Sequence, residues 1–205
     1  MNRPSLSILR CVLAALFVFA ACKPRPAPAQ SVEKGDPITT IASLSDPRKL
    51  ATLKPEARAV NGRLDKIIYW LSVAEQQGIR PEDAITRALA TNGTTEPRLS
   101  MVKTQTVLNY QARKRWGLLT AENLDRLKRG NAALVTKGSY IGDKAEVDHI
   151  VPLSRYPQFA NELANLQLMP ARDNRSKGDR MGEVEFAKLA ELRKLTAPVR
   201  SRQNP

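Results

Sequence analysis

Beyond residue 22 the chain has no cysteine; its only two, Cys11 and Cys22, lie close to the N-terminus. The remainder therefore has no disulfide staple, no thiolate nucleophile and no Cys-ligated zinc site. Histidine is almost as scarce, with His149 the single imidazole, so a histidine-rich metal centre is excluded too. Aromatic residues make up only 5%, which calls for an aliphatic core. Acidic residues are outnumbered, 20 against 33 Lys+Arg, giving a net charge of +13 and a pI near 10.1. Such a surplus favours a polyanionic partner, nucleic acid or an anionic membrane surface. Hydrophobic residues at 42% and charged residues at 26% are ordinary for a globular protein.

No hydrophobic run is long enough to span a bilayer. Residues 11–21 (CVLAALFVFAA) come nearest, behind Arg3 and Arg10. A basic start followed by a short apolar stretch reads as an export signal over residues 1–22. Phe19-Ala20-Ala21 before Cys22 is similar to a lipoprotein signal, with Phe19 where Leu is usual. Lipidation at Cys22 would tether the chain to a membrane. Ala27-Pro28-Ala29 offers a cleavage site instead, and an uncleaved anchor is the plainer alternative. Discounting Arg3 and Arg10 leaves +11, so the basic character belongs to residues 23–205. The expected location is exported: periplasmic, membrane-anchored or extracellular.

Residues 23–45 hold Pro24, Pro26, Pro28 and Pro37 and read as a linker. Residues 46–130 read as a helical unit, and no internal repeat is visible. Asp46-Pro47 is a cap and first-turn pair. A long run from Pro55 places Val60, Leu64, Ile67, Ile68 and Leu71 at helical spacing and stops at Gly78. Pro81 opens a short helix. Pro97 opens another, with Met101, Val102, Leu108 and Ala112 apolar, ending at Gly117. Thr120 caps a fourth that stops at Gly130. Tyr69 and Trp70 read as core. Lys103, Arg113, Lys114 and Arg115 read as exposed cations or as the lining of a nucleic-acid path.

The texture changes after residue 130. Lys137 to Gly142 is turn-like, 145–152 and 165–169 read as short strands, and 171–178 as a short helix. A final helix over 183–195 would pack through Phe186, Leu189, Ala190 and Leu192. Residues 131–196 thus form a small α+β module, and 197–205 a tail. So small a module buries little core alone and must lean on the helical unit.

The chemistry concentrates here. Asp148 and His149 are adjacent, so on a strand they point to opposite faces, and they serve separate tasks or sit where the strand ends. Asp148 and Asn174 can give oxygen ligands to a hard divalent cation. His149 is the only side chain suited to act as a general base near neutral pH. Arg175, Lys177 and Arg180 can bind phosphate or can simply form a solvated face. Asn174 and Lys177 are three apart on a helix and share a face. Asp179 reads as a cap for the final helix.

In order, the residues read Asp148-His149-Ile150-x-Pro152, Asn165-Leu166-x-Leu168 and Asn174-Arg175-Ser176-Lys177-Gly178-Asp179. This pattern, over residues 134–182, resembles the HNH endonuclease family with its ββα-metal fold. The resemblance implies a general base at His149 and an acidic metal ligand at Asp148. Asn165 would be the middle asparagine that fixes the loop and orients the histidine; Asn161 competes for that position in a poorer context. Asn174 stands at the last motif position, where the family's name has His. That exchange favours Mg²⁺ over a zinc site, with Mn²⁺ also accommodated. Cysteine knuckles that brace some members are absent, so packing must brace this one.

The expected fold is α+β: a mostly helical N-terminal unit, a ββα-metal module and a C-terminal helix. The expected activity is metal-dependent hydrolysis of phosphodiester bonds in nucleic acid, DNA ahead of RNA, by an exported enzyme. The site residues are His149 and Asn165 for catalysis, Asp148 and Asn174 for metal, and Arg175, Lys177 and Arg180 for nucleic acid. Two alternatives stand beside it. One is a catalytically silent basic nucleic-acid-binding protein, and the other an exported antibacterial nuclease effector. Helices 46–130, oligomeric state and sequence specificity carry no legible assignment.

Overall fold

The computed structural model describes residues 35–196. The leader with Cys11 and Cys22, residues 23–34 and the 197–205 tail lie outside the described residues. Helices α1 (Pro37–Ser45), α2 (Pro47–Ala51), α3 (Ala59–Gln76), α4 (Pro81–Thr91), α5 (Arg98–Arg115) and α6 (Ala121–Lys128) come first. Three strands come next, β1 (Ala133–Leu134), β2 (Lys144–His149) and β3 (Leu166–Pro170). Helices α7 (Ala171–Lys177) and α8 (Glu183–Arg193) close the described chain. The architecture is α+β, as the sequence suggests.

The stretch expected to be linker up to residue 45 is corrected: α1 occupies its last nine residues. Asp36 caps the backbone amides of Ile38 and Thr39, and Pro37 sits at the first helical position. Ile38, Ile41 and Ala42 then fall on one face at i, i+3 and i+4 and are buried against α3 and α4. The prolines upstream mask this short apolar period.

Helix α3 forms the centre of the helical part, with Leu64, Ile67, Ile68 and Leu71 fully buried. The run expected from Pro55 is broken near its start. Pro55–Ala57 is a 3₁₀ turn, Arg58 is left-handed at φ 47°, and the α-helix begins at Ala59. In α5, apolar Leu108 is 48% exposed. The inward face of α5 is mixed: Val102, Tyr110 and Ala112 are buried beside Gln105, Thr106, Asn109 and Arg113. Arg113 is fully buried and ion-paired with Asp65 of α3, so it is neither surface cation nor path lining. Burial raises the Asp65 carboxyl against the pull of Arg113.

The sheet is antiparallel in the order β1-β2-β3. The two-residue β1 has no counterpart among the strands expected from the sequence. On β2–β3 the register sets His149 opposite Leu166, Asp148 opposite Gln167 and Glu146 opposite Met169. Both outer strands are closed by asparagines from the helical part. Asn109 of α5 donates to the Leu166 carbonyl and accepts from the Leu168 amide, both at 2.8 Å. Asn123 of α6 does the same for the carbonyl and amide of Leu134 in β1, again at 2.8 Å. A carboxamide offers one donor and one acceptor, as a neighbouring strand would, so neither edge is left with unpaired backbone there. Asn61 of α3 donates to the Val147 carbonyl of β2 at 3.0 Å. These three contacts are the brace that the missing cysteines would otherwise supply.

Helix α8 packs through Leu189 and Leu192 alone. Phe186 is 56% exposed and Ala190 is also exposed, so the expected four-residue face narrows to two.

Candidate active site

Strand alternation sorts β2 into two faces. Ala145, Val147 and His149 are buried, while Glu146 and Asp148 share the opposite face, half-buried. Helix α7 lies against β2 and β3 and brings two side chains to these carboxylates. Its start is pinned to the 138–143 turn, where Arg172 bonds Asp143 at 3.0 Å and the Ser139 carbonyl at 3.2 Å. Asn174 donates from Nδ2 to Glu146 Oε2 at 2.9 Å. One turn on, Lys177 Nζ lies 3.0 Å from Asp148 Oδ2 and donates to the His149 carbonyl at 2.9 Å. Gln167, the cross-strand partner of Asp148, donates to the same Oδ2 at 3.1 Å.

His149 is the last residue of β2, where the alternation ends. The residue is 6% exposed, and its Nε2 meets the Ala160 carbonyl at 2.8 Å. A carbonyl only accepts, so Nε2 carries the proton and the neutral ring keeps its lone pair on Nδ1. Burial pushes the His149 pKa below its ordinary value, against the opposing pull of the Ala160 carbonyl and Asp148. The ring is thereby held in the neutral form that accepts a proton.

The loop between β2 and β3 is closed by Asn165, which is fully buried. Its Oδ1 accepts from the Val151 amide at 2.8 Å. Its Nδ2 donates to the carbonyls of Val151 and Phe159 at 3.1 and 3.3 Å. The Asn165 carbonyl also accepts from the Ile150 amide at 2.8 Å. Asn165 thus fixes the loop that carries Ala160, the partner of His149. It does not line the cleft beside His149. Asn161 is bonded instead to the Leu53 carbonyl, at 2.8 Å, and ties the loop to the helical part.

Asp148, His149 and Asn174 line one cleft of about 340 Å³. The expected phosphate cations do not. Lys177 is committed to Asp148 and the His149 carbonyl. Arg180 caps α7, bonding the carbonyls of Lys177 and Ser176. Arg175 is exposed and does not line the cleft. Asp179 lines the cleft, 3.8 Å from Arg155, and does not cap α8. At that helix start Glu185 accepts from the Gly182 amide.

Sequence reasoning passed over Glu146. Strand period was the available signal, since i and i+2 share a face with Asp148. By accepting from Nδ2, Glu146 fixes the Asn174 amide and leaves Oδ1 for another partner. Asp148 Oδ1 is likewise without a hydrogen bond among the described residues. The donors are therefore hard oxygens, a carboxylate and an amide, of the kind a divalent cation such as Mg²⁺ takes. No cluster of three or more His, Cys, Asp or Glu side chains gathers around a metal position among the described residues.

A family model described as HNH endonuclease matches residues 137–182. The match starts at the turn before β2 and ends just past α7, enclosing Glu146, Asp148, His149, Asn165 and Asn174. Residues 137–182 are an HNH endonuclease module. No curated protein and no solved structure matches the chain. The HNH module indicates nuclease activity and a nucleic-acid substrate, and HNH nucleases in general use a divalent metal. It spans less than a quarter of the chain, and the helices that brace it lie outside the match.

Proposed function

We propose that the chain is a metal-dependent endonuclease that hydrolyses phosphodiester bonds in DNA, working outside the cytoplasm. The observation that carries this reading is the convergence of Asp148, His149 and Asn174 on one cleft, with His149 kept neutral. Asp148 and Asn174 are the residues that would hold the cation. When bound there, it polarises the scissile phosphate and stabilises the leaving oxygen.

The chain's own residues supply the rest. His149 takes a proton from water at Nδ1 as the water oxygen bonds to phosphorus. The bond from phosphorus to the leaving bridging oxygen breaks, and solvent protonates that oxygen. Asn165 keeps the loop, and through Ala160 the imidazole, in place. Glu146 holds the Asn174 amide through Nδ2, which leaves Oδ1 for the cation. Lys177 holds Asp148 and the end of β2 together. The basic surplus draws the polyanion in, and the signal-like leader supports export.

A second reading has one observation in its favour. The Lys177 ammonium on Asp148 already balances that carboxylate, as it would in a silent nucleic-acid-binding scaffold. Cleavage assays on supercoiled, linear and single-stranded DNA and on RNA, with Mg²⁺, Mn²⁺ or chelator, separate the two. The nuclease reading expects metal-dependent cleavage of DNA. Binding without cleavage under every metal supports the silent scaffold.

A further inference from the structure

Arg58 lies outside the HNH module, at the start of α3, yet it lines the cleft beside Asp148, His149 and Asn174. Among the described residues lining that cleft it is the sole cation. It also lines the adjoining groove of about 340 Å³, which reaches Asn61, Glu146 and Asn174. Its guanidinium makes no hydrogen bond or ion pair with the described residues, and the residue is exposed. Two of the module's own cations are spent differently, Lys177 on Asp148 and Arg180 on the end of α7.

The backbone of Arg58 adds an independent observation. It has φ 47° and ψ 30°, the only non-glycine residue at positive φ among the described residues. Arginine has no short polar side chain to ease this left-handed conformation, and glycine would adopt it without strain. Such outliers persist where the surroundings over-determine them, and they cluster at functional sites. Here the surroundings are clear. The Arg58 amide bonds the Pro55 carbonyl, and the Arg58 carbonyl accepts from Asn61. Asn61 is itself bonded to Val147 of β2, next to Asp148, and Gly62 abuts the Gly130 backbone. The start of α3 is thus fastened to the strand that carries the site.

We propose that Arg58 is the phosphate-binding cation of this site, lent to the module by the helical part. It contacts the scissile phosphodiester and stabilises the charge that builds on the non-bridging oxygens as water attacks. This rests on the nuclease reading. A guanidinium suits the role, since it binds two phosphate oxygens at once and stays charged at any working pH.

The full chain is compared with Arg58→Ala, Arg58→Lys and Arg58→Gly under Mg²⁺ and Mn²⁺. Loss of one such electrostatic contact lowers kcat by about 100-fold, expected for Ala and Gly, with Lys between them and the wild type. Arg58→Gly is also expected to raise the melting temperature, so its lost activity is not lost folding. In a His149→Ala background, binding of a fluorescein-labelled duplex is followed against salt. Adding Arg58→Ala should reduce the slope of log Kd on log salt by about one. Active wild type with equally active Arg58→Ala and Arg58→Gly, or an unchanged salt slope, overturns the Arg58 assignment. Wild type that cleaves nothing under any metal overturns the nuclease reading instead.

Discussion

Glu146 and Asn174 meet between strand and helix, and that contact decides which atom of the amide a cation can use. Replacing Glu146 with Ala frees the amide to rotate. Loss of such a supporting partner lowers metal affinity by roughly 10- to 100-fold, read as the Mg²⁺ concentration for half-maximal cleavage. Glu146→Gln, which still presents a carbonyl oxygen, should lose less. Equal Mg²⁺ dependence in all three proteins would contradict the role. Asn165 acts through the loop. Its replacement by Ala strips partners from the buried amide and carbonyl of Val151 and from the Phe159 carbonyl. The cost is about 3 kcal/mol, measurable by urea denaturation, and activity should fall with it. Asp148, His149, Asn165 and Asn174 were legible because the motif keeps them in a fixed order. Lys177 was legible as a cation but not as one already paired, because sequence spacing says nothing about which carboxylate lies across from it. Arg58 was not legible at all, lying about ninety residues upstream in a backbone conformation that an arginine does not advertise.

Among the elements, the most consequential contacts are the asparagine clasps on the sheet edges. Asn109 and Asn123 are each 3% exposed and each satisfies one backbone amide and one carbonyl. Either one replaced by Ala leaves two buried backbone groups unpaired, a loss of about 2 kcal/mol. The two hold opposite edges, so the double variant should lose close to the sum, as read by thermal or chemical unfolding. Strong coupling between them would mean the edges are not held independently. Helix boundaries were largely readable, because prolines, capping residues and glycines mark α3 through α6. Strand β1 was not, since two residues carry no period. Helix α1 was hidden by the prolines before it. The packing face of α8 is narrower than its four apolar residues suggest, because apolarity alone does not say which side meets a neighbour. The inward side of α5 also carries polar residues, because Asn109 pairs with β3 backbone and Arg113 with Asp65.

At the scale of the molecule, the small sheet does not stand alone. The described residues 35–196 fall in one compact unit, and the core runs from α1 through the sheet to α8. The buried Arg113–Asp65 pair lies within the helical part, and Asp65 borders the groove beside the site. The helices outside the HNH module thus serve it twice, bracing its strands and bringing Arg58 to its cleft. The role proposed for His149 is general base in a metal-dependent phosphodiesterase site. It is tested most directly by following supercoiled plasmid with the wild type and His149→Ala, each with Mg²⁺ and with chelator. Nicking is expected from the wild type with Mg²⁺ alone, and at a rate lower by about 100- to 10,000-fold from a folded His149→Ala. Undiminished nicking by His149→Ala, or nicking that survives the chelator, would contradict it.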